Sequence, residues 1–127
     1  MMNDAVGKRI EKILTDIQSR KKVDYACRND VSRYNRAYSR IVRNIRYIDD
    51  HYPDQIHRIT EFLSSSDLDI VSHIAPIVIT LKSCSLEEKK RAIAILEGLL
   101  EDERIDQVDK MMLSTNLMKW RSEVFGQ

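Results

Sequence analysis

The sequence predicts an all-α fold, and three observations lead to that class. Apolar residues recur at i, i+3, i+4 and i+7 along most of the 127-residue chain, which is the spacing of amphipathic helices. Three glycines and two prolines are too few for the many tight turns of an all-β chain. Ser85 and Glu88 form a capping-box sequence ahead of an apolar run, which marks the start of a helix. We therefore expect about six helices in antiparallel pairs, as a HEAT-like stack or an irregular bundle, in a single domain spanning residues 1–127.

The first two helices are predicted over residues 4–22 and 30–49. The apolar stripe of the first consists of Val6, Ile10, Ile13, Leu14 and Ile17. The stripe of the second consists of Tyr34, Ala37, Tyr38, Ile41, Ile45 and Ile48. Asn29 or Asp30 is expected to cap the second helix. Residues 23–29 contain no proline or glycine, so a single bent helix through them stays an alternative.

Two prolines shape the predictions for the next two helices. Pro53 suits the first position of a third helix that ends near Leu63, because its ring fixes a helical φ. The inward side chains of this helix are expected to be Ile56, Ile59, Phe62 and Leu63. Serines at 64–66 interrupt the chain, and one of them is expected to cap a fourth helix over 67–82. Pro76 lies inside that helix and predicts a kink near Ser72 or His73, or two short helices.

The last two helices are predicted over residues 86–101 and from about 105 or 106 to 124. The inward side chains of the fifth are expected to be Ala92, Ile93, Leu96, Leu99 and Leu100. Those of the sixth are expected to be Val108, Met112, Leu113, Leu117 and Trp120. Gly126 is placed to close the sixth helix.

The formal net charge is only +1, but the charges are unevenly distributed. Residues 20–46 contain nine lysines and arginines against two aspartates, and residues 97–109 contain six acids against one arginine. The basic segment predicts a row of guanidinium groups opposite the apolar stripe of the second helix: Arg33, Arg36, Arg40 and Arg43. The acidic segment predicts a second candidate binding surface: Glu101, Glu103, Asp106 and Asp109.

Catalytic and metal-binding motifs are missing from the sequence. It contains no Gly-x-Ser-x-Gly elbow, glycine-rich phosphate loop or His-Glu-x-x-His motif. His51 and His57 lack a carboxylate cluster at ligand spacing, and His73 in an apolar helix is expected to bond to the backbone. Cys27 and Cys84 fit neither C-x-x-C nor zinc spacing. We expect no catalytic residues, metal or cofactor, and a cytoplasmic protein with no signal peptide and no membrane-spanning segment.

Several residues resemble a bacterial family of helical domains with HEAT-like pairs. Asn35 and Tyr38 match a K-x-x-N-x-x-Y pattern on its second helix, and Trp120 with Arg121 match a terminal T-L-x-x-W-[KR] pattern. Members of such families are similar to the immunity proteins encoded beside polymorphic toxins. The resemblance implies a protein without catalytic residues whose partner is a toxin domain.

Two functions from different classes follow as expectations. The first is an immunity or antitoxin-type protein whose acidic residues meet a basic partner, such as the cationic cleft of a nuclease toxin. The alternative is a nucleic-acid-binding module that uses the row from Arg33 to Arg43. A pI near 7.8 and the expected core position of Tyr34 and Tyr38 weigh against nucleic acid. Monomer and homodimer both stay open.

Overall fold

The prediction of an all-α fold is confirmed by a computed structural model, which describes residues 4–20 and 28–126. Within those residues the chain forms helices and turns and no strand. The α-helices are α1 (Ala5–Arg20), α2 (Arg28–His51), α3 (His57–Thr60), α4 (Leu68–Val78), α5 (Leu86–Leu100) and α6 (Gln107–Phe125). The chain divides into two compact units, Met1–Ile59 and Thr60–Gln127. The single domain expected from chain length stays a prediction.

The first unit is built on an antiparallel pair, α1 and α2. The guanidinium of Arg9 lies over the ring of Tyr47, and that of Arg20 lies over the ring of Tyr34. The start of α1 therefore lies beside the end of α2, and the end of α1 lies beside the start of α2. The isoleucine-rich stripes of the two helices meet between them, as the sequence predicts. The buried apolar residues of this unit are Val6, Ile13, Ile17, Ala37, Ile41, Ile45, Ile48, Ile56 and Ile59.

The start of α2 differs from the prediction. The helix already includes Arg28, so Asn29 and Asp30 lie within it and neither is its cap. The predicted connection over 23–29 lies largely outside the described residues, as does the choice between two helices and one bent helix. At its other end α2 stops at His51, just before Pro53, as expected for a residue pair that disfavours continuing a helix.

The third predicted helix is not one continuous α-helix in the structure. A 3₁₀ turn at Pro53–Gln55 leads into α3, and a second 3₁₀ turn at Glu61–Ser64 follows it. Short 3₁₀ turns are common connectors because their hydrogen bonds close over only three residues. Three of the four expected inward residues, Ile56, Ile59 and Leu63, are buried, whereas Phe62 is only half-buried, so the spacing predicted most of the inward face although the helix is not regular.

The first long helix of the second unit is α4, whose cap and length correct two predictions. Asp67, and not a serine, caps the helix, since its carboxylate accepts hydrogen bonds from the Asp69 and Ile70 amides at 2.9 and 3.4 Å. The helix ends at Val78, earlier than predicted, and continues through Pro76 as one helix, so the alternative of two short helices is wrong. Burial of the surrounding apolar side chains offsets the backbone hydrogen bond that the proline removes.

The capping box before α5 is confirmed. The Ser85 hydroxyl accepts a hydrogen bond from the Glu88 amide at 3.1 Å, and the Glu88 carboxylate accepts one from the Ser85 amide at 3.0 Å. Helix α6 returns antiparallel to α5, because Arg121 binds Glu97 while the Lys90 ammonium, nearer the start of α5, lies over the Phe125 ring. The Gly126 amide closes α6 by donating to the Ser122 carbonyl at 3.1 Å.

The inward face predicted for α6 is wrong at two of its five positions. Val108 is 66% exposed and Met112 is 62% exposed, whereas Leu117 and Val124 are buried. Apolar side chains occur on both sides of this helix, so the sequence pattern does not select one buried face. The result is a helix that buries one apolar face and leaves another bare.

Candidate partner-binding surfaces

The acidic segment spans the end of α5, the turn at residues 101–106 and the start of α6. Asp106 caps α6, since its carboxylate accepts a hydrogen bond from the Asp109 amide at 3.0 Å. Glu101 ends α5, at a helix terminus that disfavours negative charge. All four predicted residues are exposed: Glu101, Glu103, Asp106 and Asp109. The structure therefore brings the predicted set together around one turn.

Ion pairs neutralise only part of this segment. Asp102 binds Arg104 at 2.8 Å, and this side-chain hydrogen bond, followed by one from the Arg104 amide, lowers the pKa of Asp102 to about 2. Glu97 binds Arg121 at 2.8 Å, which raises the pKa of that arginine. Over residues 4–20 and 28–126, no basic side chain forms a salt bridge with any of the four predicted acids, Glu101, Glu103, Asp106 and Asp109. Their charges are left to face solvent.

The bare face of α6 begins beside these acids. It is defined here by five exposed apolar side chains: Val108, Met111, Met112, Met118 and Phe125. Phe125, at the far end of the face, also has the Lys90 ammonium of α5 over its ring. Met111 is 70% exposed and Met118 is 75% exposed, and their neighbours on the face follow helical spacing. Leu117 and Val124 point the other way and are buried. Large apolar side chains grouped in this way on a surface are a recognised mark of an interaction site.

The predicted arginine row on α2 is not uniform. Arg40 donates hydrogen bonds to the Asp16 carboxylate of α1 from Nη2 at 2.9 Å and from Nε at 3.2 Å. This hydrogen bonding raises the pKa of Arg40. Asp16 is buried, so Arg40 belongs to the packing of the first unit. Arg33, Arg36 and Arg43 are exposed, and Arg46 beside them is exposed as well. In the described part of the chain, Arg36, Arg43 and Arg46 form no salt bridge.

Tyr38 corrects the expectation that both tyrosines lie on the core face. It is 42% exposed, whereas Tyr34 is half-buried. Arg20 lies over the Tyr38 ring at 4.8 Å from its centroid. Tyr38 also lines an open depression of about 510 Å³ that extends along α2 to His51 and includes Arg43 and Arg46. An aromatic ring therefore does lie beside exposed guanidinium groups.

The three histidines contact residues close to them in the sequence. His51 stacks on the Tyr47 ring with centroids 4.0 Å apart, and the His57 imidazole lies 3.2 Å from the Asp54 carbonyl oxygen. His73 Nδ1 lies 2.6 Å from the Asp69 carbonyl oxygen, which confirms its expected bond to the backbone. Among the described residues, no group of three or more histidine, cysteine or acidic side chains is arranged to hold a metal ion.

The sequence did not predict the bare α6 face or the Tyr38 depression. Helical spacing does relate the exposed residues Val108, Met111, Met118 and Phe125. This spacing indicates a second apolar face on α6, in addition to the buried one. The sequence also places Tyr38 and Arg46 on α2. It does not show which side of α2 is covered by α1, so it could not predict that both are exposed. In the described ranges, no helix is both long enough and apolar enough to cross a membrane.

Comparison with known proteins returns no match: no protein-family model, no curated protein and no solved structure is significantly similar to this chain.

Proposed function

We propose that this protein acts by binding another protein, and that the bare face of α6 with its acidic border is the binding surface. One observation carries the proposal. Five large apolar side chains are exposed along one helix, next to four acids with which no basic side chain in the described residues forms a salt bridge. Exposing such a face to water is unfavourable, and covering it with a partner recovers the hydrophobic free energy.

The chemistry of the surface defines the partner. Methionine side chains are flexible and polarisable, so the face adapts to an apolar patch of varied shape. Glu101, Glu103, Asp106 and Asp109 favour a partner whose apolar patch is bordered by lysine or arginine. Acids at an interface border speed association and reject partners of like charge more than they add affinity. The partner we propose is therefore a basic protein.

A non-enzymatic blocking role agrees with this chemistry. The partner would be a toxin domain with a cationic cleft, and this protein would be its immunity or antitoxin-type inhibitor in the cytoplasm. Inhibition would be steric and electrostatic, because a bound helix face covers the cleft without any bond being made or broken. The resemblance drawn from Asn35, Tyr38, Trp120 and Arg121 favours this role and stays a prediction.

The test begins with capture of the tagged full-length protein and its partner from native cells at moderate salt. Mass spectrometry identifies the partner, and the purified complex is then studied by stopped-flow binding. The triple variant Glu101→Gln/Glu103→Gln/Asp109→Gln removes border charges while it retains Asp106, which caps α6. We expect the association rate to fall about tenfold or more at low salt and the dissociation rate to change little.

Three results would overturn the proposal. One is an acidic or neutral partner whose association rate does not respond to the triple variant. Another is the absence of any stoichiometric protein partner. The third is a homodimer in light scattering that dissociates when Met111 and Met118 are replaced by glutamine, since the face would then belong to a second copy of this chain.

A further inference from the structure

The outer side of α2 carries a second surface that the α6 proposal does not use. Tyr38, Arg43 and Arg46 line the same open depression, and all three are exposed. Arg43 and Arg46 form no salt bridge with any residue that the structure describes. Two guanidinium groups and an aromatic ring therefore face solvent together within the first unit.

We propose that this depression binds single-stranded nucleic acid. Arg43 and Arg46 would contact phosphate oxygens, which guanidinium groups bind through paired hydrogen bonds. Tyr38 would stack on one base. Tyr38 and Arg46 are eight residues apart on α2, which corresponds to a rise of about 12 Å, so the surface suits a short stretch of strand.

The aromatic ring decides between nucleic acid and an acidic peptide. A peptide carboxylate would need only the arginines, whereas a base offers a π-face to the exposed tyrosine ring. Arg20 lies over one face of that ring at 4.8 Å from its centroid, so the base would stack on the opposite face. A duplex fits less well, because its bases are stacked on one another and do not present their faces to a side chain.

The surface also has features that limit the contact. Asp50 lines the depression near its His51 end and would repel phosphate there. Tyr47 lines it too, but its ring already contacts Arg9 at 3.5 Å and stacks on His51. The strand is therefore expected to lie over the half of the depression that holds Tyr38, Arg43 and Arg46.

The test is fluorescence anisotropy with a labelled oligothymidylate of about 15 nucleotides, using the full-length protein at about 50 mM salt and then at higher salt. Tyr38→Ala should weaken binding by about tenfold, whereas Tyr38→Phe keeps the ring and should bind like the parent. Arg43→Ala/Arg46→Ala should weaken binding and reduce the slope of log K against log salt by about 1.4, because each lost phosphate contact changes it by about 0.7.

A matched control removes the same charge elsewhere. Arg104→Ala/Arg121→Ala deletes two exposed arginines of the second unit, both of which form ion pairs with acids. We expect oligonucleotide affinity within about twofold of the parent for this variant, because a local site depends on position and not on net charge alone.

The proposal is overturned if the control variant weakens binding as much as Arg43→Ala/Arg46→Ala. It is also overturned if a polyglutamate peptide of similar length competes as well as unlabelled oligothymidylate, or if no binding is seen with about 100 µM protein at low salt. Circular dichroism of each variant shows whether a loss of binding is a loss of fold. A failure here leaves the protein-binding role of α6 unaffected, since the two surfaces share no residue.

Discussion

Replacing two neighbouring residues of α6 shows which of its faces supports the fold. Leu117 is 3% exposed, and Met118, the next residue, is 75% exposed. Leu117→Ala removes a buried side chain from the second unit and leaves a cavity, which costs about 2–5 kcal/mol in comparable cores. The measurement is the free energy of unfolding from urea titration followed by far-ultraviolet circular dichroism.

Met118→Gln should cost far less. Burying a whole methionine side chain contributes about 1.5–3 kcal/mol, and only about a quarter of Met118 is buried, so the loss is about 0.5 kcal/mol. Methionine and glutamine have similar helix propensities, so the backbone contributes little to the difference. The two variants should therefore differ by about 1.5 kcal/mol or more, with the same urea dependence.

Equal costs for the two variants would refute this reasoning. If Met118→Gln destabilised the protein as much as Leu117→Ala, the face described as bare would be part of the core. The proposed binding surface would then not exist. If Leu117→Ala were nearly neutral, α6 would not be packed through the face assigned here.

Three further predictions concern single side chains elsewhere. Gly98→Ala should raise the free energy of unfolding by about 0.5–1 kcal/mol in the same urea assay, since a Cβ there meets no atom within 4 Å and alanine favours the helix. Arg40→Ala should cost about 1.5–3 kcal/mol because it strips a buried carboxylate of its charged hydrogen bond, whereas Arg43→Ala should stay within about 0.5 kcal/mol. The Asp102 carboxyl should titrate with a pKa of about 2 by nuclear magnetic resonance, and Arg104→Ala should raise that pKa toward 3.8. Because folding lowers this pKa, the stability that the Asp102 pair adds is present above about pH 4 and is lost as the pH falls through about 2.

The sequence predicted best where one signal stood alone. Ser85 and Glu88 marked the start of α5 correctly, because a capping box followed by an apolar run has few other readings. The isoleucine spacing of α1 and α2 predicted their buried stripes, since the opposite sides of both helices are polar. The irregular turns around α3 still bury three of their four predicted inward residues, because burial depends on spacing more than on helix type.

The sequence predicted least where two faces of one helix had similar chemistry. Helix α6 carries apolar residues on both sides, so Val108 and Met112 were assigned to the core although they are exposed. The arginines of α2 present the same difficulty, because their spacing does not show which of them forms an ion pair. Only the position of α1 shows that Arg40 binds Asp16 while Arg43 does not share that ion pair. Amphipathic patterning cannot separate side chains that differ only in what packs against them.

The measurement that tests the central claim most directly is calorimetric titration of the captured basic partner into two double variants. Met111→Gln/Met118→Gln changes the bare face of α6, and Arg36→Ala/Arg43→Ala changes the exposed side of α2. We predict that the first variant loses at least about tenfold in affinity, because hot-spot apolar contacts contribute about 1–2 kcal/mol each, and that the second binds like the parent. Unchanged affinity in the methionine variant, with loss in the arginine variant, would contradict the account and move the protein interface to α2.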